Sequence, residues 1–213
     1  QDLVLARRPD TVCHDLDDAP AGVDAWLLGS GQDARERDPA LRSLLVEVLG
    51  SGAPCVVDAG ALDLVGRHAG PVVVTPHARE LARMRTALGL DGDGEPERAV
   101  AAAQVARAIA AVVVAKGTPT LVVDADGSTT AVEPPTHRLA TAGTGDVLAG
   151  ILGAVAAGSA RAAADAGALA SMAVQAVRLH GEAAALAAAG GRPITALDVA
   201  RSLPDAVAAT AGR

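Results

Sequence analysis

Runs of strand length that are apolar on both faces recur along this chain, and they restrict the folds open to it more than any other feature. They are Leu3–Ala6, Ala25–Leu28, Pro54–Val57, Pro71–Val74, Ala111–Ala115, Leu121–Val123 and Thr129–Val132. A strand without a polar face must be covered on both sides, which is the habit of parallel sheets between helices. Segments with helical spacing lie between several of them: Pro39–Leu49, Arg79–Leu88 and Glu97–Ala110. Strand and helix in alternation predict an α/β fold of three layers, αβα, around a mostly parallel central sheet. Asp124-Ala-Asp-Gly127 between two short strands reads as a hairpin turn, so one antiparallel pair is expected in the later part.

Beyond Asp146 the pattern turns almost wholly helical. Arg161–Ala189 is long and alanine-rich, suited to close helix packing, and Thr195-Ala-Leu-Asp198 has the form of a capping box. Asp91–Pro96 reads as a surface loop. Residues 1–213 are expected to form a single domain. Tyr and Phe are absent and Trp26 is the one aromatic, so Leu, Val and Ala must fill the core. A net charge of −7 argues against a nucleic-acid partner. Cys13 and Cys55 form no CxxC pair and fit a reducing compartment, with Cys55 expected in a buried strand. The alanine-rich stretches are interrupted by charges and read as neither signal peptide nor membrane span. A soluble, cytoplasmic protein is expected.

In open α/β sheets, ligands bind at the carboxyl ends of strands. Four successive strand ends here carry polar or glycine-rich tips: Gly29-Ser30-Gly31, Asp58-Ala59-Gly60, Thr75-Pro76-His77 and Lys116-Gly117. Thr75-Pro76 resembles an N-cap with proline at the first helical position, which would place His77 and Glu80 on one face of the first turn. Lys116 is the only lysine, every other basic position being arginine. Lysine differs most from arginine where a compact ammonium must meet a phosphate, so Lys116-Gly117-Thr118-Pro119-Thr120 reads as a phosphate-contacting turn. In Ala140-Thr-Ala-Gly143-Thr144-Gly145-Asp146, a glycine-rich turn opens a helix and leaves amides and a positive dipole end free for an anion. The carboxylate of Asp146 at its rim would repel a phosphate alone, and points to a hydroxyl about to receive one. The histidines are scattered and no His-Glu-x-x-His occurs, which disfavours zinc.

Val57-Asp58-Ala-Gly-Ala-Leu62, Thr75-Pro-His-Ala-Arg-Glu80, Lys116-Gly-Thr-Pro-Thr120 and Ala140–Asp146, in this order and at these intervals, resemble the NAD(P)H-hydrate dehydratases of the ribokinase-like superfamily. Leu179-His-Gly-Glu182 and the closing Thr195–Leu203 segment extend the likeness, which begins near Gly22. The resemblance implies dehydration of hydrated NADH or NADPH at the expense of ADP or ATP, with Mg2+ accompanying the nucleotide and no metal ligands assigned. It implies Asp146 as the catalytic base and Gly143, Thr144 and Gly145 as the anion hole. Lys116, Gly117, Thr118, Pro119, Thr120 and Gly145 would bind the nucleotide, while Gly29, Gly31, Asp58, His77, Glu80 and Asp146 would meet the substrate. Gly60 stands where the family usually has a second Asp, and Ser30 where Pro is frequent. A thiazole or hydroxymethylpyrimidine kinase of the same superfamily, and a nucleotide-binding domain without turnover, are the alternative readings.

Family members begin with a further strand, helix and glycine loop. The chain starts at Gln1 on a strand-like run, so the expectation is that residues 1–213 are the later part of a longer chain, or that a homo-oligomeric neighbour covers a bare sheet edge. An epimerase, as domain or separate protein, is the expected partner activity.

Overall fold

The computed structural model describes residues 2–14, 22–90, 96–159 and 166–211. Six strands form one sheet in chain order: β1 Trp26–Leu28, β2 Cys55–Val57, β3 Val72–Val74, β4 Val112–Ala115, β5 Thr120–Val123 and β6 Thr129–Val132. β1 to β4 run parallel, while β5 is antiparallel to both of its neighbours, β4 and β6. Because side chains alternate along a strand, each valine run feeds both faces. Cys55, Val57, Val72, Val74, Val113 and Val123 pack on one side. They meet helices α2 (Pro39–Gly50), α3 (Ala78–Ala87) and α4 (Arg98–Ile109) there. Val56, Val73, Val112, Val114 and Val122 pack on the other, against α5 (Thr144–Gly158) and α6 (Ala166–Ala187). Two short helices, α7 (Ala196–Arg201) and α8 (Leu203–Ala211), close on α6 through a small cluster around Ala183, Ala187, Ile194 and Val199.

The expected three-layer architecture is therefore observed, with strand limits within a residue or two of the apolar runs. Cys55 is buried in β2. Thr195 and Asp198 form the expected capping box of α7. Residues 91–95 of the expected loop and 161–165 of the expected long helix lie outside the described residues. No helix among the described residues is long and apolar enough to cross a membrane.

Three expectations are corrected. Leu3–Ala6 is not a strand but part of helix α1, Asp2–Arg7. Its side chains are exposed, Leu3 to 86%, and a short apolar run has no fixed period without a sheet to pair with. Asp2 in its first turn and Arg7 in its last complement the helix dipole. The second correction concerns Thr75-Pro76, which do not open a helix. Thr75 extends β3 by donating its amide to the Val57 carbonyl, and α3 starts at Ala78 with His77 as its N-cap. Thirdly, the later part holds two antiparallel pairs, not one. The turn beginning at Lys116 is itself a hairpin connection, between β4 and β5.

Candidate active site

Since β1 to β4 run parallel, their carboxyl ends reach the same edge of the sheet. The ladder continues one residue beyond each strand: Asp58 donates to Leu28, Thr75 to Val57 and Lys116 to Pro76 through backbone amides. This continuation fixes the four tips relative to one another and aims their side chains at a common point.

Asp58 occupies that point. It is only 2% exposed. Its Oδ1 accepts from the Thr75 hydroxyl at 2.6 Å and from Lys116 Nζ at 2.8 Å. Its Oδ2 accepts from the Ser30 hydroxyl at 3.4 Å. A carboxylate removed from water needs such partners, and the ammonium supplies the compensating charge. The structure thus gives Asp58 the work of holding Lys116 in place rather than an open face toward substrate. Glu80 lies on the other flank, with Oε2 3.9 Å from Lys116 Nζ. The same Oε2 accepts the His77 amide at 2.8 Å, and the Glu80 amide donates to His77 Nδ1 at 3.2 Å, a reciprocal cap of α3. His77 Nε2 stays within 3.5 Å of Glu80 Oε1 on the exposed side of the turn.

Opposite this group stands the first turn of α5. Gly143 is its N-cap at φ 83, a left-handed conformation that suits glycine. A Cβ on Gly143 would lie 3.1 Å from the Ala196 methyl and 3.9 Å from Asp146 Oδ2, so the Asp146 carboxylate folds back over the turn. Thr144 faces inward: it is buried, its hydroxyl lies 2.8 Å from both the Leu139 and Thr141 carbonyls, and its amide donates to Thr141. The first helical bond runs from Val147 to Gly143. Among the described residues this leaves the Gly145 and Asp146 amides at the helix mouth without a backbone acceptor. Lys116 Nζ is 3.6 Å from where a Cβ of Gly145 would be. Two amides, a helix dipole and one ammonium therefore converge on a small volume with Asp146 at its border, an arrangement able to hold a phosphoryl group beside a base.

Gly29 and Gly31 serve this edge differently. At φ +97, Gly29 presses against the backbone of Asp58 and Ala61, so that any side chain would collide there. Gly31 is also left-handed, at φ +74, but faces open space. The hairpin turn contains a cis Thr118–Pro119 bond, and Thr120 Oγ1 donates to the Gly117 carbonyl.

Three supporting groups complete the site, and of these only Arg98 lies outside the motifs that the sequence singles out. Arg98, the first residue of α4, reaches under the hairpin turn and donates to the Lys116 carbonyl at 3.4 Å and the Pro119 carbonyl at 2.5 Å. Its guanidinium lies against Gly117, where a Cβ would overlap it. Nothing in the spacing of Arg98 marks it, because it acts across a helix and a strand. Thr75 was visible as a strand-tip residue, but its buried hydroxyl was not. His180, from the Leu179–Glu182 stretch, is 6% exposed and hydrogen-bonds the backbone of Thr144. Its Nε2 has no protein partner among the described residues. Burial pushes its pKa down to about 4, so it is a neutral group beneath the α5 turn.

The family model for NAD(P)H-hydrate dehydratase matches residues 2–205. The bifunctional NAD(P)H-hydrate repair enzyme Nnr of Mycobacterium tuberculosis (strain CDC 1551 / Oshkosh) is 34% identical over 159 residues, covering 71% of this chain and 32% of its own. That of Mycobacterium leprae is 32% identical over 197 residues, covering 89% and 38%. The chain thus spans about a third of the length of these curated relatives. Among solved structures, the ADP/ATP-dependent NAD(P)H-hydrate dehydratase of Bacillus subtilis, co-crystallised with ATP/Mg2+, superposes with a TM-score of 0.77 at 25% identity. It covers 98% of this chain and 75% of that one. A ribokinase-like superfamily protein of Enterococcus faecalis, at 22% identity and TM-score 0.64, covers 85% of this chain and 62% of its own, and shares the fold. With the family model matched over nearly its whole length, this chain belongs to the NAD(P)H-hydrate dehydratase family.

Proposed function

We propose that this chain dehydrates the C6-hydrated form of NADH or NADPH, using ADP or ATP as phosphoryl donor. The observation that carries the reading is Asp146 on the first turn of α5, next to Gly145, whose Cβ position lies 3.6 Å from the Lys116 ammonium. Asp146 accepts the proton of the C6 hydroxyl as its oxygen attacks the terminal phosphorus of the nucleotide and the bond to the nucleoside phosphate breaks. Developing charge on the moving phosphoryl group is met by the Gly145 and Asp146 amides and by Lys116. The phosphorylated C6 is adjacent to the ring nitrogen. Its lone pair expels phosphate, and loss of a C5 proton restores the dihydronicotinamide.

Among the described residues no three His, Cys, Asp or Glu side chains gather as a metal cage. That suits magnesium arriving on the nucleotide phosphates with most of its waters, since such an ion needs only one or two carboxylates. Asp58 has its oxygens occupied and Glu80 Oε2 takes the His77 amide, so no protein ligand to the ion is assigned; when bound, it would neutralise phosphate charge. The Lys116–Thr120 turn would receive the nucleotide, with Gly31 and His77 toward the dinucleotide. The same reading includes a cytoplasmic location, association with further copies, and an epimerase to interconvert the C6 configurations of the hydrate.

The test is direct. The protein is incubated with hydrated NADH or NADPH, magnesium, and ADP or ATP, while dihydronicotinamide absorbance and free phosphate are followed. Recovery of absorbance with one phosphate per turnover is expected. A stable phosphoester without absorbance recovery would identify a small-molecule kinase instead, and binding without either product would refute catalysis.

A further inference from the structure

Parallel neighbours in a sheet are usually joined by a covering helix. β1 leads to β2 through α2, and β3 leads to β4 through α3 and α4, but the crossover from β2 to β3 holds only the 3-10 helix Ala59–Leu64. The helical layer is thin there, and a groove of about 730 Å³ lies between that turn and α3. This volume is in the usual range for a small-molecule pocket. Along α3 the groove is lined by Glu80, Arg83, Met84 and Ala87, a single stripe about 10 Å long at 1.5 Å per residue. Opposite them Leu62 contributes apolar surface.

One end of the groove borders the candidate active site, with Glu80 common to both. Gln32, which follows Gly31, and Glu80 both line it, and Lys116 Nζ lies 3.9 Å from Glu80 Oε2 and 3.6 Å from the Cβ position of Gly145. The Lys116 ammonium therefore lies between Glu80, at the groove's end, and the first turn of α5. The charges at the rim are unequal in their commitments. Asp33 pairs with Arg35 and Asp63 with Arg37, whereas Arg83 makes no hydrogen bond or ion pair among the described residues, although its charge is felt by Asp33.

We propose that this groove takes the adenylate half of the dinucleotide, with the Arg83 guanidinium against one of its phosphates. The inference rests on the functional reading above. Aliphatic walls and the Met84 thioether accept the face of a purine where the chain has no Phe or Tyr to stack on it. Nucleotide phosphates from ADP or ATP meet Lys116 and Gly145 beyond the ammonium, so an adenylate on the Glu80 side belongs to the substrate.

Binding of NADPH, NADH and ADP to the intact chain is measured by calorimetry, with Arg83→Gln and Ala87→Trp as variants, both at exposed positions. Loss of a charge-assisted phosphate contact should weaken NADPH about tenfold in Arg83→Gln, and Ala87→Trp should do the same by filling the groove. ADP affinity should not change. An equal loss for NADH places Arg83 on the pyrophosphate, and a loss confined to NADPH places it on the 2′-phosphate; either supports the proposal. Unchanged NADPH binding in both variants, alongside normal turnover, overturns this proposal alone. A loss that falls on ADP overturns it too, as does a changed oligomeric state in Ala87→Trp with NADPH binding intact. A wild-type protein that neither binds NADPH nor turns over removes the functional reading and this proposal with it.

Discussion

Lowering the pH from about 7.5 to about 5 should destabilise this protein through one buried imidazole. His180 is 6% exposed, and burial depresses its pKa from 6.5 to about 4 even though its bond to the backbone of Thr144 acts in the opposite direction. A depressed folded-state pKa means that the unfolded chain binds the proton first. The contribution is therefore fully present above 6.5 and is lost as pH falls toward 4. With about 1.4 kcal/mol per pKa unit, the loss at about pH 5 amounts to roughly 2 kcal/mol. Surface carboxylates held low by neighbours, such as Asp33 beside Arg35 and Asp198 beside Thr195, also favour the fold less in acid, so wild type alone cannot isolate the effect. His180→Gln keeps a donor for the Thr144 backbone and does not titrate. Urea unfolding of both proteins at the two pH values supplies the comparison, and wild type should lose about 2 kcal/mol more than the variant. Equal losses would show that His180 is not buried as a neutral group, and would refute the reasoning.

Asp146→Asn should lower turnover by about 10²- to 10⁴-fold while nucleotide affinity stays within a few-fold, since the amide keeps the shape and loses the base; calorimetry beside the absorbance assay separates the two. Lys116→Arg preserves charge but should weaken ADP or ATP binding, because a planar fork replaces a compact head that sits 2.8 Å from Asp58; unchanged affinity would contradict this. Arg98→Ala removes the two contacts beneath the hairpin turn, and should raise the KM for nucleotide about tenfold with a smaller effect on kcat. An unaltered KM would show that the turn holds its form without Arg98.

Much of this architecture is legible from local pattern because the strands are short, valine-rich and buried on both faces. Val72–Val74 and Val112–Ala115 have few other places to go in water. Local pattern fails where a distant partner decides. Thr75-Pro76 carries every sign of a helix start, yet the buried Thr75 hydroxyl bonds Asp58 and its amide bonds Val57, and these two contacts keep the chain extended. His77 then takes over the cap with Glu80. The β4–β5 pairing is hidden for a similar reason, since a four-residue link containing proline and one glycine carries no short hairpin signature. Asp58 and Lys116 stand out as polar groups at strand ends and Glu80 in the first turn of a helix, but their mutual pairing depends on strand order, which no spacing encodes. Arg98 and His180 reach the site from helices, and a sequence shows only that they are an arginine and a histidine.

The charge arrangement at the sheet edge also accounts for the one lysine. On the proposed reading, Asp58, Glu80 and Asp146 bring three carboxylates to a place where phosphate would arrive, an unfavourable field if nothing opposed it. An ammonium has three donors on one compact head. The 2.8 Å contact to Asp58 uses one of them and fixes its position, while Glu80 at 3.9 Å is beyond hydrogen-bond length. The remaining donors can turn toward the space in front of Gly145. A guanidinium anchored to Asp58 would spread its plane across the short gap that separates the lysine head from Gly145. It would fill the place that the proposed reading gives to the phosphoryl group. The buried Asp58 thus does more than balance a charge. It fixes the cation beside the first turn of α5, where, on the proposed reading, the ammonium and the α5 amides would meet a phosphoryl group with Asp146 at its border.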